Sequence, residues 1–200
     1  MKIFKENSYD IVRLYVNQLG IMIFSMLLNI SVGVLKNESL ASTLSVIVSV
    51  FSIGFYLTLI YYVIWEIGAK DKIRVDGGRA EPCKSKGLVM SLFANVPNLV
   101  LGLLTIISLS IFMVGGNEVV YSVFLIVNLL MRWHASMFLG VIGVIAPLGE
   151  SVGTDINYTA YLVQAILFTV LPLISVLVTH LGYTLGFKEK KLFSFLTNKK

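Results

Sequence analysis

Apolar residues fall in five long stretches, 11–34, 42–67, 87–114, 119–147 and 157–187, separated by polar connections. Each meets or exceeds the ~20 residues that a helix needs to cross ~30 Å of hydrocarbon. The pattern predicts an all-α integral membrane protein, with five or six transmembrane helices in a single bundle and 1–200 forming one multi-pass domain. Most connections are short and carry turn chemistry, as in Lys36-Asn37-Glu38-Ser39 and Gly115-Gly116-Asn117-Glu118. Only the basic connection 68–86 is long, and its Asp76-Gly77-Gly78-Arg79 centre predicts a tight turn in a small hairpin on the membrane surface.

Composition agrees with this pattern. Hydrophobic residues make up 56% of the 200 and charged residues 14%, which leaves too little polar surface to coat a soluble globule. The mean hydropathy of +0.85 points the same way. The first stretch is too long, and too poorly marked by small residues, to be a removable signal peptide, so it is expected to stay in the mature chain. The single cysteine, Cys83, excludes a disulfide within the chain, and with two scattered histidines it makes a dedicated zinc site improbable. No cofactor is expected.

Charge decides how the stretches thread. Lys and Arg cluster in the N-terminus (Lys2, Lys5, Arg13), in the connection (Lys70, Lys72, Arg74, Arg79, Lys84, Lys86) and in the basic tail 188–200. Such flanks face the cytoplasm and its anionic leaflet, and without interleaved aromatics they do not read as a nucleic-acid surface. With the N-terminus cytoplasmic, five crossings would put nine basic residues inside and six outside. If 119–147 enters the membrane and returns, the division becomes fourteen against one, with Arg132 unassigned. The charge rule thus favours an even count, a cytoplasmic C-terminus and a tight turn or re-entrant break at 132–135. Local chemistry favours the alternative of one long helix, because no Gly or Pro stands between Glu118 and Leu139. In the returning form Arg132, Trp133 and His134 make an interfacial cluster; in the continuous form Arg132 is an intramembrane charge that needs a polar partner.

Polar residues inside the stretches fall into seams. Ser91, Asn95, Asn98, Gly102 and Thr105 recur at steps of four, three, four and three, which places them on one helical face. Ser42, Ser45, Ser49 and Ser52 form a second seam, Gln18, Ser25 and Asn29 a third, and Gln164, Ser175 and Gly182 a fourth. Small polar residues of this kind serve helix packing in lipid, and they can also line a polar pathway. Pro97 removes a backbone bond beside two amides, and broken helices with polar neighbours build many transporter sites. Asn95 and Asn98, with Ser91 and Thr105 beside them, are therefore the expected solute-facing residues. Glu66 is expected to pair with Lys70 four residues on. Gly182 and Gly186 form a GxxxG pattern suited to packing another span.

Gly149-Glu150-Ser151-Val152-Gly153 fits GxSxG, but His180 lies 23 residues past Asn157, ~35 Å along a helix and far beyond the reach a serine needs of its base. No phosphate-binding glycine loop, dinucleotide fingerprint or HExxH occurs. The chain does not read as an enzyme. The leading expectation is a small transport-type module in the cell membrane that binds or passes a small solute or ion between polar seams. The alternative is a non-enzymatic adaptor for assembly, immunity or regulation, acting through Lys70, Lys72, Arg74, Arg79, Lys84 and Lys86 on a partner or on lipid headgroups. The implied partners are the lipid bilayer and either a second copy in a homo-oligomer or a cytoplasmic protein, with no nucleic acid.

Overall fold

A computed structural model describes residues 7–148 and 157–190, and among these every regular element is helical. Lys2 and Lys5, the GxSxG stretch and all of the basic tail after Lys190 lie outside the described residues. In chain order the elements are α1 (Ser8–Gly33), α2 (Glu38–Asp76), α3 (Lys86–Ala94), α4 (Val96–Gly115), α5 (Glu118–His134), a 3-10 turn (Ser136–Phe138), α6 (Leu139–Ile145), α7 (Tyr158–Val170), a 3-10 turn (Leu171–Leu173) and α8 (Ile174–Phe187).

Four helical segments are long and apolar enough to cross a membrane: α1, α2, α4 and the continuous pair α7–α8. The stretch 118–145 makes a fifth only if its two arms are counted as one span, for it bends through 78° after His134. Large apolar side chains such as Val50, Ile107 and Leu177 stand exposed along these helices, as suits faces turned to lipid.

One departure from the sequence reading and two breaks it anticipated have physical causes. First, the connection after 67 forms no hairpin. α2 continues to Asp76, supported by Lys70–Glu66 and Lys72–Asp76 pairs one turn apart, at 2.7 and 2.8 Å. The two glycines end the helix instead. Gly77 N donates to Ile73 O at 3.1 Å, and Gly78, at φ +67°, takes the left-handed conformation that lets Arg79 N reach Arg74 O at 2.9 Å. Second, the stretch 87–114 divides at Asn95, just before Pro97, into α3 and α4. Third, the stretch 119–147 breaks at Ala135 without Gly or Pro, whose N–H still closes α5 on Met131 O at 2.9 Å.

The described residues gather into two compact units. The first takes those up to Asn17, Tyr56–Ala94 and those from Leu173 onward. Its core holds Leu14, Ile60, Ile64 and Met90. Its helices meet at glycines: a Cβ on Gly186 would run into the Trp65 carbonyl, one on Gly182 would reach Ile64 at 2.5 Å, and one on Gly87 would reach Tyr183 at 2.6 Å. The Gly182–Gly186 pair thus packs α8 against α2 of the same chain.

The second unit takes Gln18–Phe55 and Asn95–Pro172. Phe124, Met131, Met137, Ile142 and Phe168 fill its core. At one end Phe112, Tyr121 and Tyr158 cluster in tilted and edge-to-face contacts, with ring centroids 4.6 Å apart for Phe112–Tyr121 and 5.2 Å for Phe112–Tyr158. One turn further along, Phe124 meets Tyr161 at 5.9 Å. α5 and α7 therefore start at the same end of this unit and run side by side. The segment between their starts leaves that end and comes back to it.

Candidate functional site

The break at Ala135 is held by the polar seams. In an apolar setting every freed backbone group needs a partner within the protein. Ser136 Oγ donates to Met22 O at 2.8 Å, and Asn29 Nδ2 reaches Ser136 O at 3.3 Å. Ser45 Oγ donates to Asn29 Oδ1 at 3.2 Å, while Ser49 Oγ accepts from Gly140 N at 2.7 Å. Gly140 is needed here, since a Cβ at this position would collide with the Ser45 carbonyl. The seams on α1 and α2 thus hold open a helix break that local sequence does not encode.

The Asn98 seam has a similar role. Pro172 has no N–H to offer Phe168 O, one turn earlier. Asn98 Nδ2 lies 3.5 Å from that oxygen and from Thr169 O, and Gly102 brings α4 against the Thr169 side chain. Thr105 Oγ1 donates to Leu101 O at 2.8 Å. Ser91, Asn95, Asn98 and Thr105 are all buried, none more than 1% exposed.

Arg132 is placed differently. It projects from α5, donates to Gln164 Oε1 on α7, and lies over the rings of Tyr161 and Phe168 at 5.7 and 5.8 Å. Gln164 is fixed at its other end, where Nε2 donates to Ala146 O at 2.7 Å. Among the described residues no carboxylate lies within ion-pair distance of the guanidinium. Two independent lengths give its distance from the aromatic cluster. Arg132 is eleven residues beyond Tyr121, and Phe168, beneath its side chain, is ten beyond Tyr158; at ~1.5 Å per residue both lie ~15–17 Å from the aromatic cluster. Its neighbours in sequence diverge, Trp133 being exposed and His134 buried, so the three do not form one interfacial patch.

In the first unit the charges are paired. Glu66 accepts from Lys70 at 2.7 Å, as its spacing predicts, and also from Arg13 at 3.4 Å. Asp71, only 7% exposed, receives Lys86 Nζ at 2.6 Å and the Tyr183 hydroxyl at 3.0 Å, with Arg74 at 3.6 Å. Composition marked Asp71 only as one of three acids in a basic connection; its burial depends on α8, which supplies Tyr183. Asp76 holds the Lys72 ammonium above the usual lysine range through their hydrogen bond. A cavity of about 820 Å³ opens over this network, with Arg74, Arg79 and Glu81 among its walls. Lys84 lines a second one, of about 700 Å³.

Comparison with known protein families, curated proteins and solved structures finds no match to this chain. Its function is therefore read from its own geometry.

Proposed function

We propose that the chain is an integral multi-pass membrane protein of the transport type, whose solute is a small anion met at Arg132 and Gln164. The supporting observation is the arginine itself. At ~15–17 Å from the aromatic end it would sit near the middle of a ~30 Å hydrocarbon layer, too deep to reach headgroups. A cation there costs ~2.5–3.5 kcal/mol even on the mildest insertion scale. Cation–π contacts return about 0.5–2 kcal/mol, and Gln164 adds a neutral acceptor. An anion completes the balance. In this reading Ser91, Asn95, Asn98 and Thr105 pack the helices around the site and do not touch solute.

The same geometry supports a topology of four crossings and one re-entrant pair. α5 and α7 start at one end, so 118–157 returns to the side it left, and both termini lie with the basic connection on the cytoplasmic face. This arrangement satisfies the charge rule without six spans. A reporter fused at the C-terminus should read cytoplasmic; an external reading would remove the re-entrant pair.

The test of function is anion flux in liposomes carrying purified protein, with chloride, nitrate and formate as probes. Arg132→Gln should abolish flux at unchanged protein yield and monodispersity, and Arg132→Lys should retain part of it. Flux that survives Arg132→Gln would remove the assignment. The second reading, an adaptor that works through the basic connection, draws support from the ordered Asp71–Lys86–Tyr183 network, which builds a defined surface there. It predicts that Arg79→Glu abolishes activity in the cell while Arg132→Gln leaves it intact.

A further inference from the structure

The second cavity of the first unit, about 700 Å³, has a composition of its own. It is lined by Tyr183, Phe187 and Pro82 and by Lys72, Lys84, Lys188 and Lys190, with His180, Thr184 and Cys83 beside them and no carboxylate among the lining residues. Lys72 is committed to Asp76 at 2.8 Å. Lys84, Lys188 and Lys190 make no ion pair among the described residues. Their positions are set by the fold. After α8 the chain turns through Glu189, at φ +54°, and Lys190 N returns to Leu185 O at 2.9 Å. Trp65 Nε1 then donates to Lys190 O at 2.7 Å, which ties this turn to α2. Three lysines without an ion pair among the described residues thus line one cavity with Tyr183 and Phe187, at the end of α8. One and two turns back from Leu185, Leu181 and Leu177 stand exposed on α8, 46% and 70% respectively, spaced four apart and so on one face.

We propose that this cavity binds the phosphate headgroup of an anionic phospholipid, with the lysines Lys84, Lys188 and Lys190 on the phosphate and an acyl chain along Leu181 and Leu177. The chemistry required is a compact anion joined to a long apolar chain. A soluble phosphate would meet the lysines but leave the Leu181–Leu177 track unused, whereas a zwitterionic lipid would bring its own cation against three others. Clustered lysines beside a span contribute to lipid affinity additively, and exposed ones can be reversed without touching the core. The proposal does not depend on the transport reading, since its residues belong to the first unit and Arg132 to the second.

Native mass spectrometry of the full chain released from nanodiscs tests it, with dioleoyl phosphatidylglycerol and dioleoyl phosphatidylcholine as competing probes. Wild-type protein should retain phosphatidylglycerol preferentially, and Lys84→Glu with Lys188→Glu should reduce that retention by about tenfold or more. Lys36→Glu, a reversal in an exposed connection outside the cavity, should leave it unchanged. Leu177→Ser with Leu181→Ser should lower retention of the lipid with all lysines in place. Equal retention of the two lipids, indifference to the double reversal, or full displacement by inorganic phosphate would overturn the proposal. Thermal melting of each variant in detergent, expected at the wild-type temperature, separates lost binding from lost folding.

Discussion

Asp71, buried, and Arg132, half-buried, are both charges held in helical packing, and the two units give them partners of opposite kinds. Asp71 is surrounded by donors: Lys86 at 2.6 Å, the Tyr183 hydroxyl at 3.0 Å and Arg74 at 3.6 Å. Arg132 has a neutral amide and two ring faces. A carboxylate so supplied joins α2, α3 and α8. Arg132 has no carboxylate among the described residues, which is the feature the proposed anion site rests on. The contrast to be tested is whether the completeness of the partner set separates a structural charge from a binding one.

The contrast can be broken experimentally, and the largest effect belongs to Asp71. Asp71→Ala strands the Lys86 ammonium, whose side chain is only 11% exposed, and should cost ~3–5 kcal/mol. Denaturation in detergent should show a large fall in midpoint; a small fall would mean that Lys86 finds solvent. Gly140→Val comes next. Its side chain meets the Ser45 carbonyl, and overpacking of this kind costs ~1–3 kcal/mol, read as a lower melting temperature and a faster loss of the monodisperse species. Ser49→Ala removes the acceptor of Gly140 N without adding bulk and should cost ~1 kcal/mol. Asn98→Leu should cost a similar ~1 kcal/mol and leave anion flux unchanged, which sets it apart from Arg132. Arg132→Gln is expected to have the smallest effect on stability, with an unchanged or slightly raised melting temperature. A marked fall there would place Arg132 with Asp71 as a structural charge and end the comparison.

The two helix breaks show how much of this was legible in advance. The break at Asn95 is visible in the sequence because Pro97 forbids a backbone bond wherever it stands. The break at Ala135 carries no such mark, and only the bulk charge count hinted at it. Its cause is distributed over Met22, Asn29, Ser45 and Ser49, which are remote in the chain and meet only when it is folded. The candidate site divides in the same manner. The Glu66–Lys70 pair follows from a spacing of four, whereas Gln164 as the partner of Arg132 does not follow from any local pattern. Asn95 and Asn98 stand beside the helix break that Pro97 marks, but the carbonyls that Asn98 reaches, those of Phe168 and Thr169, lie before a second proline, Pro172, remote in the chain. The Asp76-Gly-Gly-Arg turn was located at the right residues, yet it caps a helix because the ion pairs upstream extend α2 to reach it.

By itself the sequence determined the helical class, the apolar stretches and their ends, the basic flanks, and the presence of one unassigned charge. These follow from composition and short-range spacing, which act identically in any surroundings. The tertiary structure alone decided which seams pack, where an unmarked helix bends, and which of two charges, Asp71 or Arg132, has ionic partners among the described residues. Those outcomes depend on hydrogen-bond and charge partners supplied by other helices, and where such groups lie in space is not written in the spacing along one chain.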